Sequence, residues 1–164
     1  MKTFLPLGLA VLFSGLLTSP QLMAAEDMPL AENLYLDGQE ALQKNIPIAI
    51  LLDFKGLKST ENLKEEALYP NLLSGVFDGK VLFREIEVNV PKTLIDFYNE
   101  PLEAKEFQGL FNVTSLPALV FVDGHGEQIV PPLLSGSYDY YGFYLKRELD
   151  NAMQHLGNPT RFSD

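Results

Sequence analysis

The 164-residue chain contains no cysteine. It therefore forms no disulfide, attaches no lipid through a thiol and offers no thiolate as nucleophile or metal ligand. Its core must hold without covalent staples, which a chain of this size with 46% hydrophobic residues can do. Histidine is nearly as scarce. His125 and His155 are the only two, and their spacing is not that of a metal site. The stretch "DGHGE" at 123–127 is too short and too hairpin-like for a calcium loop. No metal and no cofactor is expected. Positive charge is also in short supply, with 12 Lys+Arg against 22 Asp+Glu and a formal net charge of −10. Nucleic acid and anionic membrane surfaces reward Lys and Arg, so neither suits this chain. No internal repeat or low-complexity segment is visible.

Residues 1–24 read as a cleavable signal peptide. Lys2 is a thin positive start, residues 4–17 are apolar, Pro20 breaks the run, and Met23-Ala24-Ala25 supplies small residues for cleavage. A membrane anchor is the weaker reading, because the run is shorter than the ~20 residues a spanning helix needs. Cleavage leaves about 140 residues, a length that suits one domain, and loss of Lys2 takes the charge from −10 to −11. The expected destination is the periplasm or the exterior, with no membrane span remaining.

An acidic lead-in at 25–36 is followed by a short helix at 37–45 with Asp37 as N-cap. The apolar run 46–54 is punctuated by Pro47 and Gly56 and reads as a strand buried on both faces. Ser59 or Thr60 then caps a helix with Glu61, Glu65 and Glu66 in its first turns. Its apolar stripe is Leu63, Ala67, Leu72, Leu73 and Val76, with a break near Tyr69 imposed by Pro70. Asp78-Gly79 is a turn, and 81–90 is a second strand. Residues 91–101 read as a loop or a short helical turn. Residues 102–113 read as a helix with Leu102, Phe107, Leu110 and Phe111 inward. A third strand at 118–122, a turn at 123–126 and a return strand at 128–134 make a hairpin whose Pro131-Pro132 marks an edge or a bulge. The last helix has Ser137 as cap, an apolar face of Tyr141, Leu145, Leu149, Ala152, Met153 and Leu156, and Gly157 as its stop.

Two parallel strands joined by a crossover, followed by a hairpin, give one mixed sheet with helices on both faces. With Leu116-Pro117 just ahead of the third strand, this order resembles a thioredoxin fold over 37–156. The carrying residues are Asp53-Phe54, "NLKEEAL" at 62–68, "VLFREIEVNV" at 81–90, "FNVTSLPALVFVDGHGE" at 111–127 and "GSYDYYGFYLKREL" at 136–149. The set is most similar to exported thioredoxin-like proteins, including those of the sulphur-oxidation type and those that reduce disulfides in the periplasm. The resemblance implies an α/β fold: a central mixed sheet of about four strands, a C-terminal β-hairpin and flanking helices, with the domain at 37–157 and a tail at 158–164.

In active members of that superfamily a Cys-x-x-Cys opens the helix after the first strand. Counting from Phe54 places the motif on Ser59, Thr60, Glu61 and Asn62. Thiol–disulfide exchange requires a thiolate, and a serine hydroxyl is far too weak an acid to replace one, so the redox activity does not carry over. Pro117 matches the superfamily's cis-proline. Two readings of it stand: an architectural one, and one in which Leu116 offers its backbone to a partner segment, as the resemblance implies. Ser59 as a hydrolytic nucleophile would need a positioned base, and neither histidine lies naturally beside it. The ordinary reading of Ser59 is a helix cap. Asn112-Val113-Thr114 fits a glycosylation sequon, which matters only in a eukaryotic secretory pathway. The cluster "YDYYGFY" at 138–144 places Tyr140 and Tyr144 toward solvent, either as a recognition surface or as part of an aromatic belt. No enzyme activity is expected. The expected partner is a protein of the periplasm, and the residues specify neither which protein nor an oligomeric state. Its candidate contacts are Leu116, Pro117 and Ser59, or alternatively Tyr140 and Tyr144.

Overall fold

The computed structural model describes residues 28–136 and 138–163. The signal-peptide segment and Ser137, expected as a cap, lie outside them. Along the chain, α1 (Leu34–Lys44) is followed by β1 (Ile48–Asp53). Next come α2 (Lys58–Leu63), a π-helical turn (Lys64–Leu68) and α3 (Tyr69–Leu73). Then β2 (Leu82–Glu87), β3 (Thr93–Ile95) and β4 (Pro101–Glu103) lead through a 3-10 turn to α4 (Phe107–Leu110). A hairpin of β5 (Ala118–Val122) and β6 (Gln128–Leu134) precedes α5 (Tyr141–His155).

The sheet order is β2-β1-β5-β6. β1 pairs in parallel with β2 and antiparallel with β5, and β6 returns antiparallel on β5. This is the expected mixed four-stranded sheet. All six residues of β1 and all five of β5 are buried, as central strands covered on both faces require. β6 is an edge strand with register shifts against β5, and its two prolines sit where no further ladder bond is needed. The other edge, β2, is covered by the lead-in through a bridge from Leu30 to Glu85. The C-terminal residues also join the core: Phe162 is buried and meets Phe77 edge-on at 5.1 Å.

Several expectations from the sequence are corrected. α1 begins three residues before Asp37, and its cap is Asn33, whose Oδ1 accepts the Leu36 N–H at 3.0 Å. Asp37 instead accepts two hydrogen bonds from the Arg84 guanidinium, at 2.9 and 2.5 Å. Neither Ser59 nor Thr60 caps α2. The helix starts at Lys58, with Leu57 in the cap position and no side-chain cap. That start places Thr60 and Leu63 one turn apart on the buried side. The break before Pro70 takes the form of the π turn, and Pro70 then sits in the first turn of α3, where its missing N–H costs nothing. The π turn also advances the buried face. Leu68 is fully buried, whereas Leu73, expected inward, is 63% exposed.

Residues 91–101 form no helical turn; they hold β3, a loop at 96–100 and the start of β4. Its connecting loop is closed by Asp96, whose Oδ1 accepts the N–H groups of Tyr98 and Glu100 at 2.8 and 2.9 Å. The helix expected over 102–113 shrinks to α4 and its 3-10 lead, and Leu110 faces solvent. The residue in the capping position of α5 is Tyr140, with no side-chain cap. The apolar face of α5 is as expected, and Gly157 follows it with φ of +68°.

Candidate functional site

β1 ends at Asp53, Leu52 pairs with Ala118, and Ala118 pairs with Leu134. Three segments therefore meet at one end of the sheet: the loop 54–57 leading into α2, the stretch 114–117 entering β5, and the exit from β6. The edge residues of this end include exposed apolar side chains, with Phe54, Leu57 and Leu134 between 40 and 49% exposed. Scattered apolar exposure is ordinary, but these three come from segments that the pairing brings together.

The four positions that counting from Phe54 assigns to the redox motif, 59–62, lie here. Ser59 and Asn62 are half-buried, Glu61 is exposed, and Thr60 is buried with its hydroxyl unpartnered. The Leu116–Pro117 peptide bond is cis. Pro117 is buried and Leu116 is half-buried. Among the described residues no group bonds the N–H or the C=O of Leu116. A backbone donor and acceptor are therefore left open beside exposed apolar side chains.

The tyrosine-rich start of α5 belongs partly to the same end. Tyr138 donates its phenolic O–H to the Ser59 carbonyl at 3.4 Å. Tyr140, two residues on, is exposed. Tyr144 is set apart: Phe143 meets it edge-on at 5.5 Å, and the Arg147 guanidinium lies 4.8 Å from its ring centroid. The structure thus ties the Tyr138 end of the cluster to Ser59 and leaves Tyr144 on the outer flank of the helix.

Beneath α2 lies a group that sequence reasoning passed over. Asp53 and Glu85 are 1% and 4% exposed, and Lys64 reaches down from the π turn to both. Its Nζ stands 3.4 Å from Asp53 Oδ2 and pairs with Glu85 Oε1. Burial, then the charge of Glu85 and a hydrogen bond to it, push the Asp53 carboxyl up to about 7, against the opposing pull of Lys64. Burial works against the Lys64 ammonium, but the hydrogen bond to Glu85 and the nearby negative charges outweigh it and raise its pKa. The available signal was the single acidic residue closing an otherwise apolar central strand.

Neither histidine serves Ser59. His125 lies in the turn between β5 and β6, at the opposite end of the sheet, and His155 is the last residue of α5. A concavity of about 210 Å³ also opens at that opposite end, lined by Asp96, Tyr98, Leu110 and His125 among others. One of its acidic groups is already committed, because Asp96 closes its own loop. No helix among the described residues is long and apolar enough to cross a membrane.

No known family model matches the chain, and no curated protein sequence does. Several solved structures are similar to it, among them the following two. The DsbH oxidoreductase is 17% identical, with 83% of this chain and 94% of that one aligned at a TM-score of 0.54. A thioredoxin-fold protein from Helicobacter pylori is 15% identical, over 71% of this chain and 87% of its own, at a TM-score of 0.46. At 17% identity the likeness to the DsbH oxidoreductase concerns fold alone. The chain has a thioredoxin-like fold and contains no cysteine.

Proposed function

We propose that this chain is an exported, non-redox protein that binds an extended segment of another protein at the end of the sheet formed by the 54–57 loop, Leu116-Pro117 and the start of α2. The observation that carries the reading is the unbonded N–H and C=O of Leu116 beside exposed Phe54, Leu57 and Leu134. An incoming strand gains main-chain hydrogen bonds from such an edge, and side-chain contacts supply its specificity. Ser59 contributes through its place at the helix start, and Tyr140 extends the apolar face. Export rests on the leader pattern of residues 1–24, and the periplasm is the compartment it suits. The absence of any thiol removes exchange chemistry, and neither histidine stands with Ser59 as the base a nucleophile needs.

The alternative surface, the tyrosine-rich start of α5, is favoured by one observation, the exposure of Phe143 and Tyr144 on its outer flank. The two readings separate by position. Because the chain has no cysteine, a single introduced one can carry a photo-crosslinker at a chosen site. The binding reading expects one shared adduct from Leu57 and Leu134 in periplasmic extract and none from Leu110 at the opposite end. The alternative expects that adduct from Tyr144 instead. Equal labelling from Leu110 and Leu57 removes both. An insulin-reduction assay should show no rate above buffer.

A further inference from the structure

We propose that the concavity at the opposite end of the sheet is a binding site for a small free organic cation, an ammonium or guanidinium carried on an apolar body, seated between two matched loops. The site lies away from Leu116 and rests on no part of the function proposed above.

The loops 96–100 and 123–127 read Asp-Phe-Tyr-Asn-Glu and Asp-Gly-His-Gly-Glu, and they close in the same way. In each, the Asp N–H donates to the main-chain carbonyl of the Glu four residues on, at 2.8 and 3.0 Å. Asp123 Oδ1 accepts the N–H groups of His125 and Glu127 at 2.8 and 3.0 Å, as Asp96 Oδ1 accepts those of Tyr98 and Glu100. The fourth residue of each loop is left-handed, Asn99 with φ of +65° and Gly126 with φ of +85°. Phe97 joins the two loops, because a Cβ on Gly126 would stand 2.5 Å from its ring. Both walls are therefore fixed before a ligand arrives, which lowers the ordering cost of binding.

The lining selects the charge of the ligand. Phe97, Tyr98 and Phe111 bring aromatic rings, Leu110 brings an aliphatic rim, and no lysine or arginine lines the cavity. Glu127 makes its hydrogen bonds through the main chain, which leaves its carboxylate unpaired among the described residues. Aromatic faces and carboxylates both attract cations, and the net charge of −10 acts in the same direction. His125 is the one lining group able to carry a positive charge. The size selects the rest. About 210 Å³ is the share of about seven waters and falls below the ~300 Å³ at which ordinary ligand pockets begin. That is room for one ring or a short aliphatic chain with its charged head.

Amide-detected NMR titration of the intact mature chain at neutral pH tests the site. The probes are benzylammonium, benzyl alcohol and benzoate, which share a ring and differ in charge. Benzylammonium should bind saturably, with a Kd of about 1 mM, and shift the amides of 96–98, 110–111 and 125–128. Benzyl alcohol should bind at least about fivefold more weakly, and benzoate should show no saturation. Glu127→Gln and Tyr98→Leu, both at exposed positions, should each weaken benzylammonium by about threefold or more. His125→Lys, which sets a fixed cation on the lining, should weaken it by about tenfold. A lysine side chain within acetyl-Gly-Lys-Gly-amide should bind more weakly than the free amine. Absence of saturation by benzylammonium, shifts centred on other residues, equal binding of benzyl alcohol, or indifference to Glu127→Gln overturns the cation site. Tighter binding of the lysine peptide overturns its assignment to a free ligand.

Discussion

Tyr138 donates its phenolic O–H to the main-chain carbonyl of Ser59 at 3.4 Å, joining the turn before α5 to the first turn of α2. Residues 79 positions apart thereby share one surface. The bond is long and only part-buried, so Tyr138→Phe should cost little, about 0.5 kcal/mol in a urea titration. Its larger effect should be local, a faster hydrogen exchange at amides of the Tyr138 turn than elsewhere on α5. A uniform change across α5 would contradict that local role.

Gly38 sits in the middle of α1, where alanine normally gains about 1 kcal/mol of helix propensity. Here the helix backbone lies directly on the β5–β6 turn. A Cβ on Gly124 would stand 2.5 Å from the Gly38 carbonyl oxygen, and one on Gly38 would strike the Gly124 carbonyl. Gly38→Ala should therefore lower stability by about 1–2 kcal/mol despite the propensity gain, since overpacking against backbone costs more than the helix recovers. A stabilised Gly38→Ala variant would show that α1 and the turn can separate.

Tyr141 is buried in the core with no partner for its hydroxyl, and burial raises its pKa far above the ordinary phenol value. Removing an unsatisfied buried polar group is close to neutral or favourable. Tyr141→Phe should leave the melting temperature unchanged or raise stability by about 1 kcal/mol. A clear loss would mean that the hydroxyl is satisfied in solution.

The buried carboxyl pair gives stability a pH dependence of defined sign. The Asp53 value in the folded chain lies above its unfolded value, so its contribution is fully present below about 3.8 and is lost as pH rises through about 7. The advantage of Asp53→Asn over wild type should thus grow by on the order of 4 kcal/mol between those limits and level off above them. Chemical denaturation of both proteins across that range measures it. A constant difference between the two would contradict the displaced titration.

Much of this architecture was legible in the sequence, and the reasons differ by element. β1 and β5 were plain because a central strand must be apolar on both faces, and 48–53 and 118–122 are almost wholly so. The face of α5 was plain because its 15 residues carry a full helical period. The β3–β4 hairpin was not, because strands of three residues are too short to display an alternation. The caps were misplaced because Asp37 and Ser59 have good capping chemistry but more pressing tertiary roles or positions. Arg84 draws Asp37 into an ion pair, and burial of Thr60 and Leu63 sets the start of α2. At the site, the absence of any cysteine was evident from counting. The Lys64–Glu85–Asp53 contact was not, because it joins three elements whose approach only the folded sheet defines.

The central claim is that a protein segment docks at the end of the sheet around Leu116. The direct measurement is calorimetric titration of the crosslinked partner's segment into the mature chain and two surface variants. Leu57→Glu with Leu134→Glu alters the proposed face, and Tyr98→Glu with Leu110→Glu alters the opposite end, all four positions being exposed in the folded chain. The account predicts that the first pair weakens binding at least about tenfold, or roughly 1.4 kcal/mol, while the second pair stays within about twofold of wild type, as changes outside the contact do. Equal weakening by both pairs, or weakening by the second pair alone, would contradict it.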